Sequence, residues 1–373
     1  MDEMYYYWLH NVLGIGRLTF QKILKFATPK ELYKSNRLES LDFLTEKQRE
    51  NIEISKKRWK ICKEWENLQS KGIGVLGLGE SNYPAKLSKI PDPPPVLYYK
   101  GNCDILDKPS VAVIGARACS NYGSLAAKEL GRELAAMGIV VVSGMARGID
   151  SICQNACLEA GGESIGVLGS GVEVCYPPEN RMLYEKLQQQ GCLVSENLPY
   201  TQPNAGLFPL RNRIISGLAD VIVVIESREK SGTLITVDMA LEQGKEVYAL
   251  PGRITDPVSR GCNKLIKQGA GMILSPREFV EEICPMLQLK YQQNKKEPQL
   301  VLNLNKEEQM IVKYLNVSVK TMEEIYQGIK EKNPEITINK VMESVLELQM
   351  RNILKEESGY YGVNTNLTHM GIF

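Results

Sequence analysis

The sequence predicts an α/β protein: a parallel-sheet core with helices on both faces, a helical N-terminal domain before it and a C-terminal winged helix after it. Three observations carry this. Between Ser110 and Cys284, seven short apolar, β-branched runs (VAVIG, IVVVSG, SIGVLGSG, CLVSE, DVIVVIE, EVYALPG and GMILS) alternate with amphipathic stretches, the pattern of parallel strands joined by crossover helices. Residues 1 to about 72 read as helical. Residues 301–373 give three helical stretches and then two strand-like pieces, NILKEE and GYYGVN, joined by Ser358 and Gly359, which together make a winged helix.

Composition narrows the function classes. The 373 residues are 43% hydrophobic, enough for a large core and two to three domains. No apolar run approaches a membrane span, and MDEMYYYWLH has neither the basic nor the apolar region of a signal peptide, so a cytoplasmic protein without membrane contact is expected. Nine cysteines without a CxxC pair fit buried thiols in a reducing compartment rather than a disulfide frame or a zinc site. The two histidines, His10 and His369, stand near opposite ends, which argues against a histidine base in the core or a histidine metal centre. Neither metal nor cofactor is expected. Net charge is +1, so any anion site must be local.

In chain order, residues 1–70 hold thirteen Lys and Arg against ten Asp and Glu. LGIGRLT, from Leu13 to Thr19, lies between two helical stretches and reads either as a helix-hairpin-helix turn, whose glycines let backbone N–H groups approach a phosphate, or as a plain interhelix turn. Lys71 to Gly101 is a connector with a short apolar strand, IGVLGLG, then SNYPAKL and the proline run IPDPPPVLYYKG. Prolines are excluded from central strands, so this connector is expected to be an extended strap lying on the next domain. The core domain, strap included, is placed at 73–284, with helices such as Tyr122–Met137 and Glu179–Gln190, each closed by a glycine. A polar linker follows at 285–300. The last domain has helices near Lys306–Leu315, Thr321–Ile329 and Thr337–Arg351, and carries eight Lys and Arg against ten Asp and Glu. Its candidate recognition helix offers Glu343 and Glu347 beside Lys340, the wrong sign for a phosphate backbone, which points to a protein-contact or vestigial role.

The unusual residues fall after the core strands, where open α/β sheets bind ligands. The first strand is followed by GARACS, with Arg117 in the turn and Ser120 placed to cap a helix. The second gives SGMARGID, with Ser143 and Gly144 in the turn, Arg147 towards the site, and Asp150 capping or orienting. GSGVEVCYPPEN follows the third; its Gly169 and Gly171 are expected to leave amides open, and Tyr176 offers a ring. A long loop after the fourth leads to FPLRNRIISGL, with Phe208, Arg211, Asn212 and Arg213. The fifth brings Glu226 and REKSGT, with Lys230 beside a turn of Ser231, Gly232 and Thr233, and the sixth leads to Asn263 and Lys264. Residues 108–280 hold seventeen basic and seventeen acidic side chains, so the positive charge is placed rather than general. Convergent basic loops and helix N-termini point to an anionic ligand.

GARACS lacks the later glycines of a dinucleotide fingerprint, and no P-loop is present. A ligand with several phosphates in a row fits better: single-stranded nucleic acid, its phosphates on the arginines and a base stacked on Phe208 or Tyr176. Within FPLRNRIISGL, Ile214, Ile215 and Leu218 anchor the helix in the core, and Arg213 either reaches a phosphate or pairs with Glu226.

SGMARGID, GSGVEVCYPPEN, FPLRNRIISGL, EKSGTLIT and GCNKLIKQGA, in that order, resemble the signatures of the DNA-processing protein A family (DprA, also called Smf), over roughly residues 70–280. The resemblance implies an extended Rossmann-like core that binds single-stranded DNA as a homodimer, loads the RecA recombinase and protects incoming DNA during natural transformation, as a mediator rather than an enzyme. It implies that Arg117, Arg147, Phe208, Arg211, Asn212 and Lys230 touch the strand. A rival reading is a nucleotide phosphoribohydrolase of the lysine-decarboxylase-like group, which follows its GGxGT turn with catalytic acids; here Ile235 and Thr236 stand in those places, and Asp238 and Glu242 come later.

Overall fold

The computed structural model describes residues 2–35, 41–289, 304–315, 319–351, 353–357 and 359–363. Most of the expected linker (290–300), residues 301–303 and the tail from 364, His369 included, lie outside the described residues. The chain divides into two compact units, Met1–Tyr291 and Gln292–Phe373.

The first unit begins with helices α1 (Glu3–His10), α2 (Arg17–Leu24), α3 (Pro29–Lys34), α4 (Glu46–Arg58) and α5 (Ile61–Gln69). Thr28 and Thr45 open α3 and α4 with capping boxes, each threonine bonded to an N–H three residues on while a Glu or Gln side chain reaches back. The turn between α1 and α2 is held by α4, whose Gln48 and Asn51 amides donate to the Gly14 and Leu13 carbonyls at 2.9 Å. These helices share a core with the next strands: Trp8, Leu9, Phe20 and Ile23 pack with Val75, Val96 and Tyr98. His10 is part of this core, stacked on Tyr98, and burial lowers its pKa to about 4.

The strap forms the short strand expected in IGVLGLG and, contrary to expectation, a second strand after the proline run. β1 (Gly74–Gly77), helix α6 (Ala85–Ser88) and β2 (Val96–Gly101) follow one another, and β1 and β2 extend the main sheet in antiparallel fashion. Pro84 precedes α6, the proline run is confined to the loop before Val96, and the six residues of β2 contain none, so every ladder N–H is available.

The seven expected strands all form: β3 (Ser110–Gly115), β4 (Val140–Ser143), β5 (Ser164–Val167), β6 (Cys192–Ser195), β7 (Val221–Ile225), β8 (Glu246–Ala249) and β9 (Gly271–Met272). Between and after them run α7 (Asn121–Ala136), α8 (Ile149–Glu159), α9 (Arg181–Gln190), α10 (Leu207–Leu218), α11 (Gly232–Glu242), α12 (Arg260–Lys267) and α13 (Pro276–Ile283). The nine-stranded sheet has the order β1-β2-β6-β5-β4-β3-β7-β8-β9, and from β6 to β9 every pairing is parallel. Period-2 alternation divides β3 between two cores: Val111 and Val113 face α7, α8 and α13, while Ala112 and Ile114 face α10, α11 and α12. The chain winds outward from β3 one way and returns through β7 to wind the other way, so the switch point lies between the carboxyl ends of β3 and β7.

The second unit contains α14 (Lys306–Leu315), β10 (Lys320–Thr321), α15 (Met322–Lys330), α16 (Ile338–Met350), β11 (Leu354–Glu357) and β12 (Tyr360–Val363), the strands forming a small antiparallel sheet in the order β10-β12-β11. It has its own core, with Ile311, Ile325, Val341, Val345 and Leu348 at its centre. α16 also leaves Ile338, Met342, Leu346 and Met350 exposed at every fourth position.

Candidate nucleic-acid interface

A cleft of about 790 Å³ opens at the carboxyl ends of the parallel strands, walled by the loop after β3, the loop after β7 and the starts of α10 and α11. A smaller pocket adjoins it, and Arg117, Tyr176, Phe208 and Arg211 border both. Its aromatic centre is a pair of rings. Tyr176 and Phe208 lie with centroids 5.3 Å apart and planes tilted by 30°, and Tyr176 is 38% exposed. Phe208 is placed from below by Gly169, where a Cβ would stand 2.7 Å from the ring; that glycine is a floor for the aromatic residue. Partly open rings of this kind can accept a base face.

The cations divide into exposed and buried sets. Arg117 is exposed on the cleft wall, in the turn that carries β3 towards α7. Arg228, in the loop after β7, is exposed on the opposite part of the wall and was not singled out from the sequence, although it lies two positions before Lys230 in the same basic loop. Lys230 itself is exposed but stands outside the cleft wall. Arg147 borders the smaller pocket and is paired with Glu179; both side chains are largely exposed, so the pair is readily exchanged for another anion.

Arg211 is different. It is 6% exposed, and its Nη1 donates to the Gly144 carbonyl at 2.8 Å and to the Val167 carbonyl. Burial lowers its pKa to about 10, with the Asp150 charge opposing the shift. Burial in turn raises the Asp150 carboxyl, which Arg211, Ser143 and the Gly144 and Ala146 N–H groups pull back. The guanidinium fork expected to meet a phosphate is thus turned to main-chain oxygens and forms the cleft floor. Asn212, beside it, is half-buried on the cleft wall, where its carbonyl accepts from Arg211 Nε at 3.3 Å.

Arg213 does not pair with Glu226. Its fork meets the Glu196 carboxylate at 2.8 and 2.6 Å, and its Nε donates to the Asp92 carboxylate and carbonyl at 3.1 and 3.0 Å. Arg17 of α2 reaches the same Asp92, so the second arginine of FPLRNR joins the strap and the N-terminal helices to α10. The reason is helical geometry: Arg213 lies on the face of α10 turned away from the cleft.

Several small residues expected in the site also hold the framework, Ser231 on the cleft wall and Gly144 on the smaller pocket among them. The buried Ser143 hydroxyl donates to the Val113 carbonyl at 2.6 Å. The Gly144 N–H is taken by Asp150 at 3.1 Å. The Gly171 amide, expected to be open, donates to the Thr201 carbonyl at 2.9 Å. Ser231 caps α11 through the Thr233 N–H at 3.2 Å. Asn263 bridges the Gly252 N–H and carbonyl at 3.1 and 2.9 Å and does not border the cleft.

Acid chemistry is sparse in the cleft. Of its wall residues, Asp150 alone carries a carboxylate, and it is engaged as described. Ile235 and Thr236 line the cleft at the positions where the rival hydrolases carry acids, while Asp238 and Glu242 are exposed elsewhere on α11. Among the described residues, no three of His, Cys, Asp and Glu cluster as metal ligands would, and no helix is long and apolar enough to cross a membrane.

Known proteins place this arrangement. A relative from Bacillus subtilis, DNA processing protein DprA, is 41% identical over 216 residues, covering 58% of this chain and 73% of its own. The X-ray structure of DNA processing protein A from Streptococcus pneumoniae superposes with a TM-score of 0.66 at 31% identity, over 78% of this chain and 99% of that one. DNA processing protein A from Helicobacter pylori, whose structure was described for its single-stranded DNA binding mode, gives 0.53 at 31% identity over 57% of this chain and 96% of its own. The family model for DNA recombination-mediator protein A matches residues 74–284, the β1–α13 segment that builds the cleft, and the chain belongs to that family.

Proposed function

We propose that the protein binds single-stranded DNA in the cleft at the β3–β7 switch point and acts there as a recombination mediator, not as an enzyme. The observation that carries this is the pairing of Tyr176 and Phe208 at 5.3 Å between exposed arginines, on a wall whose one carboxylate is tied up. A base stacks on the ring pair while neighbouring phosphates lie along Arg117, Arg147 and Arg228, with Lys230 further out. Arg211 and Asn212 shape the floor, Arg213 fixes α10 from behind, and Ser143, Gly144, Gly169, Gly171, Ser231 and Asn263 hold the loops. Family membership supports the wider role: a cytoplasmic homodimer that protects incoming single strands in natural transformation and hands them to the RecA recombinase. The domain plan that goes with it is a helical domain at 1–72, a Rossmann-like core at 73–284 and a winged helix at 301–373.

Fluorescence anisotropy with labelled oligothymidylate across a salt series tests the reading. With four to six phosphates neutralised, log K falls against log salt with a slope of about −3 to −4. Absence of binding at low salt, or equal affinity for duplex, would sink it. Release of free base from a nucleoside monophosphate would instead support the hydrolase.

A further inference from the structure

The crevice between β3 and β7 is where an open α/β sheet ordinarily holds its ligand. A phosphate bound there usually sits on the N-terminus of the helix after the first strand, drawn by unpaired N–H groups and by the macrodipole. In this protein that helix is α7, which is 16 residues long and has no acidic residue in its own first turn. The position is nevertheless taken. Glu226, the residue directly after β7, turns its carboxylate onto the start of α7 and accepts from the Ser120 N–H at 2.8 Å and from the Ser120 hydroxyl. The same hydroxyl oxygen accepts from the Gly123 N–H at 3.1 Å, so the carboxylate is linked to the first turn through Ser120.

Two features of the chain serve this contact. Glu226 has a φ of +56°, in the left-handed region that residues with a Cβ seldom enter. Gly123 leaves no room for a side chain, since a Cβ there would stand 2.5 Å from the Glu226 carboxyl carbon. Glu226 is only 3% exposed, so a solute phosphate meets a site that is both filled and negatively charged.

We infer that Glu226 is a built-in anion and a specificity-determining residue: it occupies the mononucleotide-type phosphate position at the start of α7 and excludes inorganic phosphate and the phosphate of a free nucleotide from it. A compact phosphate ligand depends on the N–H groups at one helix start, where Glu226 takes the Ser120 N–H and holds the Ser120 hydroxyl that takes the Gly123 N–H. A strand spreads its phosphates over separate side chains such as Arg117 and Arg228, which Glu226 leaves free. Selection of polymer over monomer thus follows from where one carboxylate is stored. The inference deepens the single-stranded DNA reading and rests on it for the identity of the polymer.

Orthophosphate and thymidine monophosphate are titrated by calorimetry into the full-length protein at constant ionic strength, and thymidine monophosphate is also titrated against its labelled oligothymidylate complex. The wild type is expected to show no saturable orthophosphate binding. Glu226→Gly removes the carboxylate and suits the left-handed backbone; it is expected to bind orthophosphate at least about tenfold more tightly than the wild type and to let the nucleotide displace the oligomer. Glu226→Gln keeps the volume and a partner for Ser120, and is expected to stay closed. Saturable orthophosphate binding by the wild type overturns the inference without any variant having to fold. A Glu226→Gly protein with native circular dichroism and no gain overturns it too, as does an equal gain in Glu226→Gln. The orthophosphate titration uses no DNA, so failure of the wild type to bind oligothymidylate removes the proposed function, while the exclusion of phosphate by Glu226 still stands or falls by the titration alone.

Discussion

Two regions of this chain have the outline of a nucleic-acid binder, the cleft at the sheet edge and the C-terminal unit with its helix α16, and they treat charge in opposite ways. Around the cleft two acids turn inward: Asp150 holds the Gly144 amide and Glu226 the start of α7. The cations Arg117 and Arg228 are left on the wall. On α16 the acids are outside. Glu343 and Glu347 are exposed, Lys340 is tied to Glu343 at 2.8 Å, and the remaining outward positions include Ile338, Met342, Leu346 and Met350. A region whose total charge is balanced can still present a cationic face, because buried backbone N–H groups give its carboxylates somewhere to go. Helix α16 has no such sink, and its shape alone does not attract phosphate.

The comparison is broken most forcefully at Arg211. Replacing it with alanine leaves the buried Gly144 and Val167 carbonyls without this donor and takes a positive charge away from Asp150, and each buried group left unsatisfied costs about 1–3 kcal/mol. Arg211→Ala is therefore expected to lose stability first, seen as a large fall in Tm. An unchanged Tm with lost DNA binding would instead place this guanidinium on the strand. Phe208→Ala comes next. Losing one stacking platform is expected to weaken oligothymidylate binding by about 1–3 kcal/mol. The salt slope should stay the same, since no phosphate contact goes with the ring, and a flattened slope would show that the variant disturbs the arginines. Smaller again is Arg117→Ala, expected to flatten the slope by about 0.7. Arg147→Ala should do less, because Glu179 already competes for that guanidinium; by the same argument Glu179→Gln should tighten binding, and a weaker complex would contradict the competition.

How much of this was legible depends on range. The seven core strands are local β-branched runs, so VAVIG and DVIVVIE announce themselves and form as β3 and β7. β2 was hidden because the prolines before Val96 obscured a strand that starts immediately after them. In the cleft, Phe208 and Tyr176 were readable as rings at strand ends, but their pairing across 32 residues was not. The arginines of FPLRNR show the limit most clearly. Arg211 and Arg213 are two positions apart on one helix, and only the fold brings Asp150 to the first and Glu196 with Asp92 to the second. Glu226 was one of two alternatives for Arg213, a phosphate being the other, but its left-handed backbone turns it towards Ser120. Whether a charge is spent on the framework or kept for a ligand is decided by contacts far away in sequence.

The smallest expected effect is on α16 and sharpens the comparison from the other side. Lys340 is the cation that a recognition helix in this position would use, yet it is exposed and already engaged by Glu343. Lys340→Ala removes an exposed i,i+3 pair, and surface changes of that kind stay within about 0.5 kcal/mol. Oligothymidylate affinity should change by less than about twofold, with the salt slope unaltered in the same anisotropy series. A slope flattened by about 0.7, the signature of one lost phosphate contact, would mean that the strand runs over α16 despite its acids, and the division between a cationic cleft and a helix suited to another kind of partner would fall.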